Sequence, residues 1–169
     1  MADLDRGLLP LNVAPVSVVE VLGRIALELA PRAATKDILW QLDVPSDLQL
    51  STDHDKLERL IRALADNAVR YTTRGEVTVV VRPAAGGATL EVRDSGPGLD
   101  ADLVVETEDV VAGRALSRPP RQLGFGLRLA GRLVRALGAS LTIAPSPSGT
   151  TCHLFLPNLA DTLPQAATA

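Results

Sequence analysis

The run from Val77 to Gly98 leaves the chain little choice of fold. Residues 77–82 and 88–93 are rich in β-branched side chains and flank 83–87, a Pro/Gly turn composition, so together they predict a β-hairpin. Its second arm runs straight into Asp94-Ser95-Gly96-Pro97-Gly98, turn chemistry that cannot continue a strand. A hairpin with an apolar face needs a second layer to cover it, and the flanking sequence supplies helices.

Before the hairpin, Val18, Val21, Leu22, Ile25 and Leu29 keep helical spacing over 16–30, a run that Pro31 is expected to close. Residues 38–44 around Trp40, then Leu48 and Leu50, suggest two short strands. Asp53 reads as a helix N-cap, with Asp55 and Glu58 in the first turn. From there Leu57, Leu60, Ile61, Leu64 and Ala68 form a buried stripe as far as Tyr71. After the hairpin, 99–122 is polar and carries Pro119-Pro120; it predicts one short helix near 103–111 and otherwise a mobile loop. A last helix over 124–137 is capped by Gly138, and strands near 140–144 and 150–156 complete the fold. Residues 1–10 read as an N-terminal arm, 11–157 as one domain and 158–169 as a flexible tail. Three long helices against four or five strands predict an α+β two-layer sandwich.

With 169 residues the chain holds one core, and at 2% aromatic content that core must be Leu, Val, Ile and Ala. A net charge of −3 gives no sequence-independent attraction to nucleic acid. The single cysteine, Cys152, excludes an intrachain disulfide and suits a reducing cytoplasm. No apolar run approaches the roughly 20 residues that span a bilayer. Any membrane anchor of a parent protein is therefore expected outside this chain.

Three separated segments could carry chemistry. In the first, Asn67, Arg70 and Tyr71 stand at i, i+3 and i+4 on one helix face. An amide oxygen, a fixed cation and an aromatic ring suit a metal-bound phosphate beside a flat base. The second is Asp94-x-Gly96-x-Gly98, a carboxylate at a strand end followed by glycines that let the backbone approach a flat ligand. The third, Gly124-Phe125-Gly126-Leu127, opens a helix whose N-terminus favours phosphate oxygens; it lacks a Walker lysine. Each segment alone also admits a plainer reading, as solvated helix end, acidic turn and helix start.

In this order the segments resemble the N, G1 and G2 boxes of the histidine kinase branch of the gyrase, chaperone, histidine kinase and mismatch-repair ATPase superfamily. Gly149-Thr150 resembles its terminal Gly-Thr motif, and the resemblance covers residues 11–157. It implies a Bergerat-type ATP-binding fold, a mixed sheet of about five strands on three helices. It further implies that Asn67 ligates Mg²⁺ on the ATP phosphates, that Arg70 contacts phosphate and that Tyr71 packs beside adenine. Asp94 would accept from the adenine amine with Thr150 supporting it through water, and Gly96 and Gly98 would shape the pocket. Gly124 and Gly126 would hinge a lid over 103–123, with Phe125 and Leu127 in the same box.

Departures from the family pattern matter. Ala63 stands where a second polar residue, or the glutamate of the hydrolysing branches, would lie, which argues against a water-activating ATPase. A phenylalanine-bearing box is not recognisable in 104–117, and Phe125 replaces a leucine. The implied activity is that of a protein-histidine kinase catalytic domain. Its phosphoacceptor histidine would lie on a separate dimerisation domain, and a response regulator would be the downstream partner. The Met1 start is read as that of an excised fragment, unable to autophosphorylate alone. His54 mimics a phosphoacceptor box but sits on the scaffold of the N box itself, and His153 and Cys152 read as structural. Arg114, Arg118 and Arg121 read as solvated loop charges or as a clamp for phosphate or a small anionic or nucleotide effector. The rival readings are a degenerate, non-catalytic binding module and an anti-sigma-factor-type serine kinase.

Overall fold

The structure, a computed structural model, describes residues 10–98, 101–114 and 125–161. In chain order the elements are β1 (Val13–Ser17), α1 (Val18–Ala34), β2 (Ile38–Asp43), β3 (Gln49–Asp53), α2 (His54–Tyr71), β4 (Gly75–Ala84) and β5 (Gly87–Asp94). Then follow α3 (Ala101–Ala112), α4 (Phe125–Ala136), β6 (Ser140–Ser146), β7 (Gly149–Pro157) and a 3₁₀ turn at Leu159–Asp161. β2-β4-β5-β7-β6 form one mixed sheet, parallel between β2 and β4 and antiparallel elsewhere. β1 and β3 form a separate antiparallel pair.

α2 is central to the helical layer because its apolar stripe is wide. Leu57, Leu60, Ile61, Leu64, Ala65, Ala68 and Val69 are all buried. They meet Val77, Val79 and Val81 of β4, Leu90 and Val92 of β5, and Leu133, Val134 and Leu137 beyond them in one continuous cluster. α2 starts where Asp53 accepts the Lys56 N–H at 3.0 Å. The same carboxylate accepts the Asn12 N–H at 2.9 Å and the Lys56 ammonium at 2.9 Å, tying the N-terminal segment to the helix. α4 ends in a Schellman turn: Gly138 has φ +63°, its N–H reaches Arg135 O, and the Ala139 N–H reaches Val134 O at 2.9 Å.

The structure departs from the sequence expectations at the chain's ends and at one proline. Val13–Ser17 is a strand, so α1 begins at Val18 rather than near Val16. Pro31 lies inside α1, which continues to Ala34. The proline forfeits a hydrogen bond to the carbonyl of Leu27, a residue that is 80% exposed. Burial of Leu29 and Ala33 on the other face holds the extra turn in place. α3 is a fourth helix in the layer, packed on α4. Gly131 lets it approach, since a Cβ there would lie 3.0 Å from Val110 O. Arg135 of α4 then caps α3, donating to Val110 O at 2.6 Å and Val111 O at 2.8 Å. Past Pro157 the chain stays docked: Asn158 accepts the Ser51 N–H at 2.9 Å, and Leu159 is buried.

No described helix is long and apolar enough to cross a membrane.

Candidate functional site

The C-terminal end of α2 brings the first two segments together. Tyr71 ends the helix, and Thr72 caps it by donating its N–H to Ala68 O at 3.1 Å. Beside this end lies the turn after β5. A Cβ placed on Gly96 would sit 2.9 Å from Asp94 Oδ1, 3.3 Å from Thr72 Oγ1 and 3.3 Å from Tyr71 O. Only a residue without a side chain lets the turn pass so close to the helix.

Asp94 is oriented by its surroundings. Its Oδ1 accepts the Gly96 N–H at 2.9 Å and the Thr150 N–H at 3.3 Å. Both hydrogen bonds it accepts among the described residues fall on that oxygen. Burial pushes the carboxyl above the ordinary aspartate range, opposed by those two N–H groups. Thr150 stands opposite Asp94 in the β5–β7 register, and Gly149 before it has φ +140°. A Cβ on Gly149 would lie 1.8 Å from Asp94 O, so β7 crosses the aspartate at a distance only glycine permits. Gly98, with φ +77°, packs against the β6–β7 turn, where a Cβ would lie 2.4 Å from Ser146 O.

The third segment reaches α2 one and a half turns earlier. Gly126, in the first turn of α4, is the residue whose Cβ would lie 3.8 Å from Asn67 Oδ1. Asn67 Nδ2 is buried with no hydrogen-bond partner among the described residues. Leu127 packs against the core. Phe125 is the first residue of α4, and Gly124 and residues 115–123 of the expected lid lie outside the described residues. From Asn67 to Thr72 the helix rises about 7.5 Å, a separation that suits the phosphates and base of one nucleotide.

Arg70 is engaged elsewhere. It donates to Asp66 Oδ2 at 3.1 Å, and Asp66 Oδ1 accepts from Arg32 of α1 at 2.7 Å. Tyr71 is half-exposed. His54 opens α2 with its Nδ1 3.1 Å from Asp55 Oδ1, roughly 20 Å along the helix from Asn67. His153 Nδ1 lies 3.2 Å from Glu91 Oε1 on the sheet face turned away from the helices. Burial first, and then the charge of Asp94, push the Cys152 thiol up to about 12, so it stays protonated and packs against the core.

Two contributors to this geometry escaped the sequence reading. Ser95 N–H donates to Glu76 O at 3.0 Å and its Oγ accepts the Glu76 N–H at 2.8 Å, fastening the turn after Asp94 to β4. Thr72, to which the sequence assigns no role of its own, is fully buried, and its Oγ1 has no hydrogen-bond partner among the described residues. The Gly75 φ of +121° is the one local signal for the first, since a Cβ there would overlap Ser95 Oγ.

Comparison with known proteins agrees with this arrangement. Residues 52–160 match the family described as histidine kinase-, DNA gyrase B-, and HSP90-like ATPase. The sensor protein CseC of Streptomyces coelicolor is 35% identical over 124 residues, 73% of this chain and 24% of its own length. The structure of the mycobacterial sensor histidine kinase MprB is 27% identical with a TM-score of 0.70, covering 86% of this chain and 97% of that one. Full-length ShkA in complex with AMPPNP is 26% identical with a TM-score of 0.70, covering 92% of this chain and 34% of that one. The chain thus spans about a quarter of the curated relative it matches, and 52–160 takes in α2, the Asp94 turn, α4 and β7. It belongs to the family of histidine kinase-, DNA gyrase B- and HSP90-like ATPases.

Proposed function

We propose that the chain is the ATP-binding catalytic module of a two-component sensor histidine kinase. It holds Mg-ATP so that the γ-phosphate faces a histidine on a separate dimerisation domain, from which a response regulator would take it. The observation that carries this reading is the convergence of three segments on the C-terminal end of α2: the Asp94–Gly96 turn against Tyr71 and Thr72, and the start of α4 at Gly126 against Asn67 Oδ1.

The residues fit the ligands. Asp94 accepts one hydrogen from the purine amine, the N–H groups of Gly96 and Thr150 keep the carboxylate in place, and Gly98 lets the turn close on β6–β7. Asn67 offers an amide oxygen, and the N-terminus of α4 offers free N–H groups to phosphate. Among the described residues no three His, Cys, Asp or Glu side chains cluster to hold a metal. A magnesium ion here would take most of its oxygen ligands from phosphates and water, as that ion commonly does. Bound in that way, Mg²⁺ neutralises phosphate charge. Ala63 packs against the core where a base would have to stand, so the chain itself has no group to activate water or a hydroxyl there. Positioning is its contribution, and the nucleophile comes from the partner.

Calorimetric titration with Mg-ATP tests this directly. Wild type is expected to bind, and Asp94→Ala to bind about 10–100-fold more weakly, the loss of a hydrogen bond to a charged group. Asn67→Ala is expected to lose the magnesium dependence of binding. The chain alone is expected to take up no label from γ-labelled ATP, whereas a histidine-bearing helical hairpin of a sensor kinase added in trans is expected to become labelled. Equal, negligible binding by wild type and Asp94→Ala would instead mark a degenerate module.

A further inference from the structure

Asp66 stands between two arginines. Its Oδ1 accepts from Arg32 at 2.7 Å and its Oδ2 from Arg70 at 3.1 Å, so each oxygen serves one guanidinium. Arg32 comes from α1, 34 positions away, in the extra turn that holds Pro31. Arg70 lies one turn along α2 from Asp66, with its side chain 58% exposed.

Arg70 has a second place to go. A helix advances about 100° per residue, which puts Arg70 about 40° round α2 from Asp66 and about 60° from Asn67, between the two. Side chains three or four apart on a helix have Cβ atoms about 5–6 Å from one another, within the span of an arginine. The main chain is pinned meanwhile, since Lys36 Nζ donates to Val69 O at 2.6 Å and to Arg70 O at 3.0 Å. Only the side chain is left to turn. A phosphate held at Asn67 offers the guanidinium a bidentate partner, and an exposed ion pair within one helix is weak enough to be given up for it.

Resting on the nucleotide-binding reading above, we infer that Asp66 is a latch that parks Arg70 away from the phosphates in the ligand-free site, and that Arg32 is the positioning residue that makes the latch releasable. Neither Asp66 nor Arg32 touches the nucleotide. When Arg70 turns toward Asn67, Asp66 keeps its bond to Arg32 and is not left as an unpaired carboxylate. Without Arg32 the carboxylate has Arg70 as its one partner among the described residues and competes harder for it.

The test uses two ligands: Mg-ATP, titrated calorimetrically, and adenosine, which has no phosphate and is followed by heteronuclear NMR. Both are titrated against wild type, Asp66→Asn and Arg32→Met, each variant alone and combined with Arg70→Met. Asp66→Asn should tighten Mg-ATP about 2–5-fold and Arg32→Met should weaken it by a similar factor, the range of an exposed ion pair. Each effect should fall by more than half when Arg70→Met is present. Adenosine should bind both single variants as it binds wild type, and far-ultraviolet dichroism of each ligand-free variant checks that the fold is kept. Wild-type affinity for Mg-ATP in either single variant overturns the inference. So does an effect that keeps more than half its size without Arg70, because the two charges then act on the nucleotide directly. Equal weakening of adenosine and Mg-ATP by Arg32→Met also overturns it, as the mark of a displaced helix. Failure of wild type to bind Mg-ATP at all would remove the nucleotide reading itself, and this inference with it.

Discussion

Asp94 is where stability and function pull against each other. Burial raises its proton affinity in the ligand-free fold, so folding binds a proton that the unfolded chain would release. The sign follows: ligand-free stability falls as pH rises from the unfolded carboxylate range through the higher folded value. At neutral pH the ionised group is a burden, and Asp94→Asn should melt above wild type while losing affinity for ATP. Parallel melting and titration at pH 7 check both halves. Nucleotide affinity runs the other way, since the amine needs an ionised acceptor. The dissociation constant for Mg-ATP should therefore rise as pH falls through the raised value, and Asp94→Asn should flatten that profile.

Asp53 shows the opposite balance, and it decides how the second helix begins. Burial alone would raise its carboxyl, but the Asn12 N–H, the Lys56 ammonium and the Lys56 N–H together pull it below the usual range. Its contribution to stability is present above the unfolded carboxylate value of about 3.9 and is lost as pH falls through the lower folded one. Removing this cap as Asp53→Ala should cost about 1–2 kcal/mol in urea unfolding at pH 7, and less as the pH approaches 3. The first helix carries a reserve of the opposite sign. Gly23 lies mid-helix, and a Cβ added there would meet nothing within 4 Å. Gly23→Ala should raise stability by about 0.5–1 kcal/mol, seen as a higher urea midpoint with unchanged slope.

At the scale of the whole molecule, one aliphatic cluster joins α1, α2 and α4 to four strands of the large sheet and to β1 and β3. Trp40, the only tryptophan, packs against that cluster from β2. Its fluorescence and the far-ultraviolet dichroism should therefore report a single, coincident unfolding transition. α3 stands apart from this cooperativity. Val111 alone of its described residues packs against the cluster, and the helix rests mainly on α4, through Gly131 and Arg135, and on β6. Amide exchange in α3 should proceed through a smaller opening than in α2, whose slowest amides should follow global unfolding. Equal protection in both helices would show that α3 shares the main core's stability.

Local signals in the sequence settled much of this. The spacing of Leu57, Leu60, Ile61 and Leu64 specified α2 and the face it buries; Asp53 specified its start and Gly138 the end of α4. The order of the Asn67, Asp94 and Gly126 segments pointed to a nucleotide fold through its resemblance to a known family, whereas the β-branched arms around 83–87 specified the β4–β5 hairpin by local pattern. These features depend on residues a few positions apart, where backbone periodicity and turn chemistry act directly. Tertiary structure alone decided the rest. β1 becomes a strand only by pairing with β3, and Pro31 is tolerated only because Leu29 and Ala33 are held in the core. Asp94 acquires its Thr150 partner from 56 positions away, Arg70 is drawn to Asp66 and Arg32, and Thr72 loses solvent beneath the Gly96 turn. Pairing and burial of this kind depend on which surfaces meet, and no local pattern encodes a neighbour so far along the chain.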